Sequence, residues 1–246
     1  MLYYGKTTIG KEEREMEDKL QINPVARIKS EFPTKFGIPR QAGLVEGLRG
    51  TVVFEPEYRN PDALRGIEGF SHLWLVWGFH AMRRGDGGWS ATVRPPRLGG
   101  NERVGVFATR SPNRPNPLGL SCVKLEGVEL HGPEGPALYV SGADLMDGTP
   151  IYDIKPYIPY ADAHPEAAQG FAPAPEGRLR VEIPPEIALK LPKERREALE
   201  GVLACDPRPS YQKDPERVYG MVFAGWEVRF SVDGEILTVL SAEEGE

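Results

Sequence analysis

Glycine and proline set the scale of every element this chain can form. With 28 glycines and 24 prolines in 246 residues, its apolar stretches are cut into runs too short for long helices. Between these breaks lie runs rich in β-branched and aromatic residues: 25–28, 51–54, 71–79, 104–109, 122–125 and 138–143. Each is bounded by Gly, Pro or Asn and reads as a short strand. Strands do not alternate regularly with helices, so a doubly wound sheet is disfavoured. A barrel or a sandwich is expected instead. Asn60-Pro61-Asp62 reads as the start of a short helix, with Asn60 as cap and Pro61 at the first helical position.

The pattern changes after residue 160. Residues 161–177 are Ala/Pro-rich without helical or strand period and read as a linker. Beyond them come a short strand at 179–183 and a helical stretch at 185–203, which Pro192 is expected to break in two. A strand at 218–232, interrupted near Gly225, and another at 236–240 are joined by the hairpin signal Asp233-Gly234. The expected organisation is therefore mainly β. It comprises an N-terminal arm (1–24), a β domain (25–160), the linker (161–177) and a small α+β domain (178–246).

Composition narrows the setting. A hydrophobic fraction of 40% with 9% aromatics suffices for a packed core. The longest apolar run, around residues 73–79, is far shorter than the roughly 18 residues a membrane-spanning helix needs, so no membrane is expected. Residues 6–19 are dominated by charge and do not read as a signal peptide. Cys122 and Cys205 are the only cysteines, which suggests a reducing cytoplasm and no thiolate metal site. The four histidines (72, 80, 131, 164) lack metal-ligand spacing, so no metal is expected. His72 and His80 flank the 71–79 run and would share a face on a straight strand; a ligand role and a hydrogen-bonded strand end are both open. Trp74 and Trp77 read as core.

A net charge of −6 argues against a nucleic-acid partner only if charge were evenly spread. Between residues 83 and 114, seven arginines (83, 84, 94, 97, 103, 110, 114) face only Asp86 and Glu102. This basic, loop-rich stretch fits either an RNA backbone or a plain solvated face.

Three segments are too polar and too constrained to be ordinary core. In Lys35-Phe-Gly-Ile-Pro-Arg-Gln41, Pro39 stiffens the approach to Arg40 and Gln41. In residues 105–121 (GVFATRSPNRPNPLGLS), Pro112, Pro115 and Pro117 hold an extended loop presenting Arg110, Asn113, Arg114 and Asn116. Such a loop has little freedom left to lose on binding. In Asp144-Leu-Met-Asp-Gly-Thr-Pro150, residues 147–150 read as a turn; one suited to ribose hydroxyls or to a cationic ligand and a plain Asp-Gly turn are both open.

These segments, with GFSHLWL, TVRPPRLGG, DIKPY and DPRPSYQK in the same order, resemble the TrmO-type tRNA N6-adenosine methyltransferases, also called TsaA-like or YaeB-like. The likeness runs from about residue 25 to 240. It implies a single-sheeted β-barrel, a homodimer and S-adenosylmethionine as cofactor. The implied reaction is methylation of N6 of threonylcarbamoyladenosine, 3′ of the anticodon in the tRNA anticodon loop. Carried over by motif, the cofactor contacts are Pro39, Arg40, Gln41, His80, Ala81, Arg110, Leu120, Asp147, Gly148, Thr149 and Pro150. Asp206 and Tyr211 are candidates for holding or deprotonating the target base. Arg94, Arg97, Arg103, Arg114, Asn116, Arg208 and Lys213 are candidates for RNA contacts. The competing reading is a non-catalytic barrel that binds RNA or a partner protein without affinity for the cofactor.

Overall fold

Alternate residues are buried along 26–30, 49–54 and 72–76, and the sheet to which these runs belong closes on itself through strand pairing. The computed structural model describes residues 20–81, 88–173, 177–209, 212 and 214–245. In chain order come β1 (Ala26–Ser30), β2 (Arg49–Phe54), β3 (His72–Gly78), β4 (Thr92–Val93), β5 (Val104–Gly105), β6 (Leu118–Gly132), β7 (Gly135–Ser141) and β8 (Pro150–Pro156). Six of these form a closed barrel in the order β1-β2-β7-β6-β3-β8, every neighbouring pair antiparallel. Closure leaves the barrel without an unpaired edge. Ile28, Val52, Leu73, Leu75, Val123, Leu138, Val140 and Ile151 fill its interior.

The structure departs from the expected elements in several places, among them two that bear on the barrel. Residues 104–109 are not one strand. After Val104–Gly105, paired only with β4, the chain turns into a 3-10 helix at Val106–Ala108. The strand β8 carries no turn-bounded β-branched run and was not expected; it begins and ends on proline. The short helix after Asn60 does form, as a 3-10 helix at Pro61–Leu64, with the Asn60 side chain accepting from the Asp62 amide.

The C-terminal unit follows a short helix α1 (Pro159–Asp162) and consists of β9 (Arg180–Glu182), α2 (Pro185–Ala188), α3 (Lys193–Ala204), β10 (Tyr219–Phe223), β11 (Trp226–Asp233) and β12 (Ile236–Glu244). Its sheet runs β10-β11-β12-β9, with β9 and β12 parallel. Pro192 separates α2 from α3, because proline lacks the amide that a continuous helix would need. Both cysteines are free, and among the described residues no helix is long and apolar enough to cross a membrane.

The long connection between β1 and β2 joins the two units. Phe32, Val45 and Leu48 from this connection share a core with Ile187, Leu199, Leu203, Phe223 and Phe230. Phe32 and Phe223 sit with ring centroids 5.4 Å apart. Burying side chains of this size contributes about 1.5–3 kcal/mol each. Glu31, itself buried, pairs with Arg195 of α3 and accepts the Arg49 amide at 3.1 Å, while its carbonyl accepts from the Ala224 amide at 2.8 Å. Gly37 takes a left-handed φ of 91° with Met221 against it, where a Cβ would overlap the methionine methyl. The second unit thus grips the loop that carries Pro39, Arg40 and Gln41.

Candidate active site

In an antiparallel barrel, the end of one strand lies beside the start of its neighbour. The ends of β1, β3 and β7 therefore meet the starts of β2, β6 and β8 at one rim. The three constrained segments all converge there. A cavity of about 600 Å³ opens at this rim, within the roughly 300–1,000 Å³ of small-molecule sites. Ile38, Pro39, Arg40 and Gln41 line it from the β1–β2 connection, and Trp77 to Ala81 from the end of β3. Arg110 and Pro112 come from the proline-rich loop, Leu118 to Leu120 from the start of β6, and Asp144, Met146 and Thr149 from the β7–β8 connection.

Local chemistry explains these positions. The guanidinium of Arg114 turns back into its own loop and donates to the carbonyls of Val106, Thr109 and Ser111. With the Thr109 and Ser111 hydroxyls capping nearby amides, this brace fixes the loop from which Arg110 projects. Arg110 donates to the Gln41 side-chain oxygen and so ties the second segment to the first. Of the 147–150 turn, only Thr149 reaches the cavity. Asp147 accepts the Ser30 amide at 2.9 Å, and the Gly148 carbonyl accepts from Arg27 at 3.1 Å. Pro150 is buried as the first residue of β8. The turn clasps β8 to β1 and supports the wall from behind.

Two groups that line the cavity were not legible from sequence. Trp77 is a wall residue: its indole lies over Gly119, its cross-strand partner, where any Cβ would fall 2.3 Å from the ring. The Phe79 ring sits 4.4 Å from it, centroid to centroid. The indole Nε1 donates to Ser121 Oγ at 2.9 Å, and that hydroxyl donates to Asp144 Oδ1 at 2.6 Å. Asp144 is the one carboxylate among the described residues lining the cavity, against Lys35, Arg40, Arg110 and Arg114. Burial pushes its carboxyl pKa above the ordinary carboxylate range; the Ser121 hydroxyl, the backbone amides of Asp144 and Ala42 and the Arg110 charge pull the other way.

His80 lines the cavity with Nδ1 3.4 Å from Thr149 Oγ1, whereas His72 lies at the opposite end of β3 beside Ser71. Trp74 is on the outer face, donating to Asp162 and packed on Tyr157. Arg94 is exposed; Arg103 donates to Thr92 and Arg97 to the Pro173 carbonyl. Asn116 is exposed in the proline-rich loop. In DPRPSYQK, Arg208 forms a two-bond fork with Asp206 at 2.9 and 3.0 Å, on a backbone where Asp206 adopts a φ of 51°. Neither of these two lines the cavity. Tyr211 and Lys213 lie outside the described residues.

A six-stranded antiparallel barrel with an aromatic, cation-rich cavity at one rim, its loop gripped by a small α+β unit, defines a two-part small-ligand-binding class. The tRNA-methyltransferase O N-terminal domain matches residues 27–163, and the TrmO C-terminal domain matches residues 176–245. This chain belongs to the TrmO family. It is 43% identical over 219 residues to a tRNA (adenine(37)-N6)-methyltransferase of Escherichia coli, covering 86% of this chain and 91% of that one. It is 45% identical over 208 residues to a putative S-adenosylmethionine-dependent methyltransferase, RcsF, of Pseudomonas aeruginosa, covering 81% and 87%. The crystal structure of TrmO from Pseudomonas aeruginosa superposes with a TM-score of 0.73 at 35% identity, covering 92% of this chain and 99% of that one. The mainly β architecture and the family expected from the motifs are both shown.

Proposed function

We propose that this chain methylates N6 of threonylcarbamoyladenosine 3′ of the anticodon, acting in the cytoplasm as a homodimer. At the coarser level it is an S-adenosylmethionine-dependent tRNA methyltransferase, in keeping with its E. coli and P. aeruginosa relatives. The observation that carries the reading is the convergence of three sequence-distant segments on one cavity. The residues present fit the cofactor. Lys35, Arg40 and Arg110 suit a carboxylate, Trp77 and Phe79 suit a flat base or a cation, and Asp144 supplies one negative charge.

When bound, the cofactor supplies an electrophilic methyl group on a sulfonium. The chain's contribution is placement, and well-aligned groups in such a displacement contribute roughly 7–11 kcal/mol. The Arg114 brace, the Arg110–Gln41 contact and the gripped β1–β2 connection hold the walls before any ligand arrives. The threonylcarbamoyl group acidifies the N6 proton, so a weak base or water suffices. Asp206, forked to Arg208, fixes the backbone at 206–208, and Tyr211 is the group we assign to holding the base. Exposed Leu118 and Leu120 at the cavity, with exposed Phe107, offer apolar surface to a second copy of the chain.

Mass spectrometry of anticodon-loop digests tests the reading. Incubation with enzyme and cofactor adds one methyl to tRNA carrying threonylcarbamoyladenosine and none to tRNA with plain adenosine. Methylation of both alike would remove the threonylcarbamoyl specificity, and methylation of neither would favour a binding module.

A further inference from the structure

We infer that the Asp144 carboxylate is the group by which the site tells the charged methyl donor from its uncharged thioether product. The inference rests on the cofactor assignment above and adds the residue that reads its charge. The described lining of the cavity carries four cationic side chains and one carboxylate. Three of the cations, Lys35, Arg40 and Arg110, suit the carboxylate end of the donor, but together they repel a sulfonium. Arg114 is braced against loop carbonyls and adds to the same positive field. A fixed negative charge favours entry of a cation into such a cavity, and Asp144 is the described lining group that supplies one.

The surroundings of Asp144 favour charge over shape as the reason for its presence. An asparagine would accept the Ser121 hydrogen bond equally well without the cost of a buried charge. The carboxylate is nevertheless kept there and partly stabilised by Ser121, the Ala42 amide and the field of Arg110. The same hydroxyl accepts from the Trp77 indole, so the carboxylate and an aromatic face, both attractive to cations, are fixed to each other by one serine. Methyl transfer turns the sulfonium into a neutral thioether. The attraction to Asp144 is present for the donor and absent for the product, which favours exchange after each turnover.

Calorimetric titration of the full-length protein with S-adenosylmethionine, S-adenosylhomocysteine and sinefungin, which carries an amine where the donor carries its methylated sulfur, tests this. Wild type is expected to favour the two cationic ligands. Asp144→Asn should weaken both by about tenfold or more while leaving S-adenosylhomocysteine within about twofold. Retained product binding also reports that the variant site is folded. Equal weakening of all three ligands would place Asp144 against their common amino acid moiety, and no change would remove it from recognition; either overturns the inference. Should Asp144→Asn fail to fold, Asp144→Glu decides: survival of the donor preference supports the role of charge, and its loss overturns it. If wild type binds none of the three, the cofactor assignment itself fails.

Discussion

The Arg110 guanidinium donates to the side-chain oxygen of Gln41 across 69 residues of sequence, joining the proline-stiffened loop to the connection gripped by the C-terminal unit. Loss of this donor frees both walls at once. Arg110→Ala is expected to weaken S-adenosylmethionine roughly 10- to 100-fold, the range of a charge-assisted hydrogen bond. Arg110→Lys should restore little, since a lysine lacks the planar fork. Titration calorimetry measures both.

Gly119 admits the Trp77 ring where a Cβ would overlap it. Gly119→Ala should push the indole off the barrel rim, break its bond to Ser121 and cost about 1–3 kcal/mol of stability. Cofactor affinity should fall more than melting temperature accounts for. Near-wild-type binding would show that the indole position is not critical.

Glu31 satisfies the Arg49 amide and the Arg195 guanidinium at the junction of the two units. Glu31→Ala leaves a backbone donor unpaired, at about 1–3 kcal/mol. Thermal unfolding should begin several degrees lower, roughly 2–4 °C for each kcal/mol in a chain of this size.

The raised pKa of Asp144 has a definite sign for stability. The folded state holds this proton more tightly than the unfolded chain does, so the carboxyl is least costly at low pH. Its burial becomes destabilising as pH rises through the folded pKa. Without ligand, Asp144→Asn should therefore melt above wild type at neutral pH, with the gap closing as the medium is acidified. Scanning calorimetry across pH reads this directly.

Arg94 and Arg103 are exposed, and Arg103 donates to the half-buried Thr92 hydroxyl. If they meet RNA phosphates, each alanine variant should reduce the slope of log affinity against log salt by about one. Arg114→Ala should instead lower thermal stability, because its donors hold three carbonyls of its own loop. A tRNA affinity that is flat across salt would overturn the assignment of the basic stretch.

Local signals were readable before the fold was known. Asn60 caps its turn, Pro192 splits the helical stretch, and the residues preceding Gly225 end a strand. Contacts between distant residues were not. Period two puts Leu73, Leu75 and Trp77 on one face, but only the pairing with β6 shows that the third lies at the rim. Asp144 looked like the lead-in to an aspartate turn because Ser121, its partner, is 23 residues away. Arg114 and Arg208 read as free cations because sequence does not reveal that loop carbonyls and Asp206 already engage them. The Asp147-Gly148 turn drew attention by composition, though its polar groups serve Ser30 and Arg27.

Because Phe32, Val45 and Leu48 belong to the hydrophobic interior of the C-terminal unit while Pro39 to Gln41 line the cavity, occupancy of the cavity and unfolding are linked through a single stretch of backbone. A ligand that holds this stretch raises the free energy of prising the two units apart, by an amount that grows with the logarithm of its concentration. Amide protons deep in α3 and β11, neither of which lines the cavity, should therefore exchange more slowly when the ligand is present.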